Sequence, residues 1–190
     1  MHKELSPGFW LVDIFSFNTV DCKSNNVKFS HLCKLNKIFE DFSCDTKTII
    51  IISGVSIKNN VAIFIAYIHS EPNIITKTIY YAINITLTEA ELFAIRCGIN
   101  QAVQVTDISH IIVITNAIYL VRCIFDLLSH PYQLQSIIIV QVLRTFFEKN
   151  TYNSIKFWDC PSDVKWIHHS VVDKETKRYN LKQIFMCKSL

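Results

Sequence analysis

Only three glycines and four prolines occur in the 190 residues, and no serine-, glycine- or proline-rich stretch divides them. Their scarcity excludes a flexible tether between domains and any low-complexity tract. No segment repeats at a fixed period, which removes solenoids and propellers. Uninterrupted apolar runs of about 18 residues, the length a membrane helix needs, are missing as well. Lys58-Asn59-Asn60 interrupts the run at 48–68, and Thr115, Asn116, Arg122 and Asp126 interrupt that at 111–128. The opening MHKELSPGFW lacks the apolar run and small residues of a signal peptide. The expectation is an intracellular protein, cytoplasmic or nuclear, without membrane contact.

Paired cysteine motifs are absent too. The seven cysteines are odd in number, widely scattered, and nowhere form C-x-x-C. Reduced thiols packed as small hydrophobes are expected. Cys160, His168 and His169 fit no zinc-ligand spacing, and adjacent histidines point in different directions. Charge is sparse: 18% of residues are charged and the net is +3, a weak signal for a nucleic-acid partner. Residues 151–190 hold seven basic side chains against four acids, which suits a phosphate-facing tail or any solvated terminus.

What the chain does have is apolar residues in abundance, half of the total, enough for one domain with a real core. TKTIIIIS (46–53), VAIFIAYIHS (61–70) and IITKTIYYAINI (74–85) are β-branched runs separated by IKNN and EPN. They predict an antiparallel meander. The period then changes. In TLTEAELFAIRCGINQAV (86–103), Leu92, Ile95, Ile99 and Ala102 recur at helical spacing, with Thr86/Glu89 or Thr88/Glu91 as capping box. HIIVITN (110–116) reads as a strand, AIYLVRCIFDLL (117–128) and QLQSIIIVQVLRTFFEKN (133–150) as helices, SIKFWDC (154–160) as a strand and HSVVDKETKR (169–178) as a helix. The order predicts an α/β fold, a five-stranded mixed sheet in which the meander leads into β-α-β crossovers, with helices on both faces. Residues 1–45 read as an N-terminal arm or connector anchored by Trp10, Phe15 and Phe17, 46–180 as the domain and 181–190 as a tail.

Ligand sites in open α/β sheets lie beyond the carboxyl ends of strands. Gly54 ends the first predicted strand and Asn116 the fourth. Glu91 falls in the first turn of the 86–103 helix and Asp173 near the start of the last one. These four can converge. Glu91 is equally suited to a plain helix-dipole charge, Asp173 to a surface acid, and Trp158 and Trp166 to packing under the last strand or stacking on a base.

The blocks TEAELFAIRCGINQA, HIIVITN, HPYQLQS and FWDCPSDVKW–HSVVDKETK resemble the ribonuclease H domain of non-LTR (LINE-type) retrotransposon polyproteins, where it follows the reverse transcriptase. The likeness runs from about residue 46 to 178, with a weaker echo in SPGFWLVDIFSFN, and the chain reads as a detached terminal piece of such a polyprotein. It implies the ribonuclease H-like sheet, magnesium or manganese as cofactor, an RNA–DNA hybrid or duplex as partner, and cleavage of the RNA strand by four acidic residues. Glu91 and Asp173 match two of the four. At the other two positions this chain has Gly54 and Asn116. The resemblance also places an auxiliary histidine in a loop near His168 and His169.

Two divalent ions must be offset by carboxylate charge; Asn116 keeps an oxygen without charge and Gly54 keeps neither. The expected function is a catalytically impaired domain that at most binds nucleic acid. The alternatives are an active nuclease with a shifted ligand such as Asp45 or Asp107, and a non-catalytic interaction module or decaying relic. On this reading Gly54→Asp with Asn116→Asp would restore the site, unless the backbone at Gly54 resists a side chain.

Overall fold

The computed structural model describes residues 15–18, 24–58, 61–70, 74–125 and 133–186. Trp10, the turn residues at 59–60 and 71–73, SHPY at 129–132 and the last four residues lie outside them. The elements run β1 (Phe15–Asn18), α1 (Asn25–Ser43), β2 (Thr48–Lys58), β3 (Val61–Ser70), β4 (Ile74–Ile83), α2 (Leu87–Ala102), β5 (His110–Thr115), α3 (Ile118–Phe125), α4 (Gln133–Lys149), β6 (Ser154–Asp159), a short 3-10 turn (Ser162–Val164) and α5 (Ile167–Met186).

β2, β3 and β4 form the expected antiparallel meander, while β2, β5 and β6 lie parallel to one another. The five core strands stand in the order β4-β3-β2-β5-β6, and β1 adds a sixth at the edge, parallel to β6. β1 and α1 fall in the stretch read as an arm. Its lysines and acids alternate with apolar residues closely enough to hide the helix from a composition-based reading. Likewise α5 continues through Met186, past the residue 180 boundary drawn from sequence.

Alternation along β2 shows why the sheet is buried on both sides. Ile49 and Ile51 face one cluster with Leu92, Ile95, Ile99, Leu143 and Phe146 from α2 and α4. Ile50 and Ile52 face the other, with Leu35 and Ile38 of α1, Trp166 and Val172. A strand covered on both faces has no polar side to show, hence the unbroken isoleucines.

Three polar contacts tie α1 to the C-terminal third. His31 Nε2 lies 2.6 Å from the Asp159 carbonyl oxygen, Trp166 Nε1 donates to Asn36 Oδ1 at 2.9 Å, and Lys28 pairs with Asp163 at 2.7 Å. Trp166 is therefore a core residue and is closed to base stacking. No described helix is long and apolar enough to cross a membrane.

Candidate active site

The capping box at the start of α2 is the Thr86/Glu89 pair. Glu89 N donates to Thr86 Oγ1 at 3.2 Å and Thr86 N donates to Glu89 Oε2 at 2.8 Å. Glu89, not Glu91, therefore holds the first-turn charge, and Glu91 sits further along, on the face turned into the protein. It is 6% exposed, and its Oε2 finds no hydrogen-bond partner among the described residues. Burial pushes its carboxyl up to about 7 from an ordinary 4.5, and the nearby charge of Asp173 adds to the rise. A helix-dipole role does not account for a carboxyl placed this way.

Asp173 lies in the second turn of α5, because the helix starts at Ile167, two residues before the predicted start. A Cβ built on Gly54 would stand 3.6 Å from Asp173 Oδ1. β2 and β5 pair in register as far as Ile52 and Ile114. β5 ends one residue later at Thr115, and Asn116 follows it at the turn into α3. At the turn, Ala117 N donates to Thr115 Oγ1 at 3.1 Å, closing the strand-to-helix corner, while Asn116 Oδ1 is buried without a partner among the described residues. β2 runs on to Lys58, so Gly54, expected at a strand end, lies inside the strand, just past the point where its parallel pairing with β5 stops. Asp173 reaches Gly54 there, Glu91 faces Asp173, and Asn116 follows the end of β5.

The histidines separate. Neither lies in a loop, since both belong to the first turn of α5. His168 stacks on Phe39 with ring centroids 3.9 Å apart. His169 is buried, with Nδ1 3.7 Å from Asp173 Oδ2 and Nε2 without a partner among the described residues. Burial lowers its basicity and the Asp173 charge works against that. Cys160 packs among apolar side chains, and no three His, Cys, Asp or Glu side chains among the described residues are grouped to hold a metal.

Asp45 and Asp107 are at the wrong end. Asp45 accepts hydrogen bonds from Lys47 N and Thr48 Oγ1 just before β2 begins. Asp107 has a left-handed backbone (φ 63°) in the loop leading into β5. The six residues of β5 put about 20 Å between that loop and Asn116. Both lie at the opposite end of the parallel strands from Asn116, so neither can serve there as a shifted ligand.

The residues present do not fit a pair of divalent cations. Asn116 is neutral and Gly54 has no donor, so of the four positions only Glu91 and Asp173 can carry charge. The backbone at Gly54 is not left-handed, so conformation does not bar a side chain there. Sterics do: the built Cβ would meet Val172 Cγ1 at 2.6 Å. No sequence signal pointed to Val172, an ordinary β-branched residue beside the acid.

No protein-family profile and no curated protein sequence matches the chain. Solved structures do. RNase H1 from the archaeon Halobacterium salinarum aligns with a TM-score of 0.51 at 10% identity, over 69% of this chain and 98% of its own. LC11-RNase H1, solved in complex with an RNA/DNA hybrid, aligns with a TM-score of 0.51 at 17% identity, over 70% of this chain and 99% of its own. The N-terminal RNase H domain of a Mycobacterium tuberculosis protein gives 0.50 at 16% identity, over 63% and 92%. The chain has the RNase H fold. At these identities the likeness fixes architecture alone. In this RNase H-like fold, Gly54, Glu91 and Asp173 lie about the point where the pairing of β2 with β5 stops, with Asn116 just past the end of β5.

Proposed function

We propose that the protein is a retrotransposon-derived RNase H-like domain that has lost hydrolysis and contacts nucleic-acid duplexes through backbone and groove shape. The observation that supports this reading is that Asp173 reaches Gly54 and Glu91 faces Asp173 where the pairing of β2 with β5 stops, with Gly54 and Asn116 read as replacements of two acids. The neighbour solved with an RNA/DNA hybrid supports a hybrid as the duplex to test first. Lys165, Lys174 and Lys177 are exposed on the turn before α5 and on α5 itself and are available to phosphates.

A labelled hybrid incubated with magnesium or with manganese, beside a binding measurement on the same substrate, tests the proposal. Binding without cutting is the expected outcome, and cutting of the RNA strand by the unaltered protein would overturn the inactive reading. Binding should ignore sequence and weaken with salt. With two or three phosphate contacts, affinity falls about 10- to 40-fold between 50 and 200 mM salt. Constant affinity across that range would remove the phosphate-contacting surface.

Metal binding can be measured separately. Titration calorimetry with magnesium should show at most one weak site, because neutral Asn116 and donorless Gly54 leave the charge of two cations uncompensated. Two sub-millimolar sites would contradict this expectation.

A further inference from the structure

The space beside Gly54 is not an emptied pocket. We infer that Val172 closes the corner of the site at Gly54 with hydrocarbon, so that any side chain at position 54, carboxylate included, is excluded by packing and not only by the residue's identity. This deepens the proposed function and rests on its placement of position 54 in the ancestral site. Three observations support it. A Cβ on Gly54 would lie 2.6 Å from Val172 Cγ1, closer than real Cβ contacts come. Val172 is fully buried in the cluster that includes Ile50, Ile52 and Trp166, so it has no open space to retreat into. It is also β-branched and helical, and such a valine holds one side-chain rotamer in about 90% of cases. The methyl group in the way is stiff.

The consequence is a coupled pair. A site that had merely lost a ligand would accept the aspartate again. This one has been filled, and position 54 cannot recover a donor while Val172 remains. The neighbouring Asp173 carboxylate survives because it projects from the next position of α5, 3.6 Å from the built Cβ.

A double-mutant cycle on the full chain tests the inference by thermal melting. At an open strand position with ordinary φ, Gly→Ala stabilises by restricting the unfolded chain. Here Gly54→Ala should instead lower Tm by roughly 4–8 °C, the cost of overpacking a core. In a Val172→Ala background the same change should be neutral or raise Tm. An equal or higher Tm for Gly54→Ala alone would overturn the inference. If Gly54→Ala does not fold, folding of the Gly54→Ala/Val172→Ala pair supports the inference. Failure of that pair while Val172→Ala alone folds overturns it.

A second arm separates this inference from the site reading. Gly54→Asp with Asn116→Asp should show a manganese-dependent rise in Tm only when Val172→Ala is also present. The same rise with Val172 retained overturns the packing claim and leaves the site reading standing. A coupled cycle with no rise in either background upholds the packing claim and removes the ligand assignment.

Discussion

Gly54→Asp, Asn116→Asp and Val172→Ala together are expected to restore magnesium-dependent cleavage of the RNA strand of a hybrid. The two aspartates without the third change should stay at or near background. The expectation from sequence is that the two aspartates suffice unless the backbone at Gly54 resists a side chain; the packing of Val172 adds the third change. Restored charge at positions 54 and 116 acts as a unit with Glu91 and Asp173, because shared cations need several carboxylates at once. A contribution of about 4 kcal/mol to the transition state corresponds to about a thousandfold in rate, so the signal should stand well clear of the unaltered protein. Without room beside Val172 Cγ1, the aspartate introduced at position 54 would be displaced or the helix pushed off the sheet. A cleavage assay on a labelled hybrid, run beside a thermal melt of each variant, measures both outcomes. A triple variant that folds and binds hybrid yet never cuts would show that the defect is not these ligands. Retained descent without recoverable chemistry would then be the reading.

The second large effect concerns the buried carboxyl. Glu91→Gln should stabilise the protein at pH 8 by roughly 3 kcal/mol and have almost no effect at pH 4. The sign follows from the raised pKa. Folded Glu91 titrates at about 7 and unfolded glutamate near 4.5, so the folded state holds the extra proton between those values. The stability this provides is complete below 4.5 and is lost as pH rises through 7. Above that the fold carries a charge that is buried and faces Asp173. Glutamine has the shape of the protonated acid and no charge to bury, so its variant should show a flatter profile across pH 4.5–7. Denaturant midpoints taken at half-unit intervals of pH test this. A Gln variant less stable than the parent at pH 8, or parallel profiles, would mean that solvent reaches Glu91.

Two features of the sequence were enough to give the meander, the crossovers and the helices that follow residue 86. β-branched runs broken by turn residues can only be strands, and the change to a three- and four-residue period at Leu92 and Ile95 can only be a helix face. These are local signals, carried by neighbours in the chain. They also placed Asn116 just past the end of a strand, but they ended the first strand at Gly54, whereas β2 continues four residues further to Lys58 because it stays paired with β3. α1 was not legible, because its buried face rests on Leu35 and Ile38 while lysines and acids interrupt the pattern. Which threonine caps α2 was also undecided. Thr86 and Thr88 each stand three residues before a glutamate, and only packing turns Glu91 inward and leaves Glu89 to reach back. The fate of the site was decided in space alone. Val172 and Gly54 are 118 residues apart, and nothing in either neighbourhood announces the other. Their contact follows from laying α5 across β2, and on the proposed reading it separates a site that lacks a ligand from one whose corner is filled.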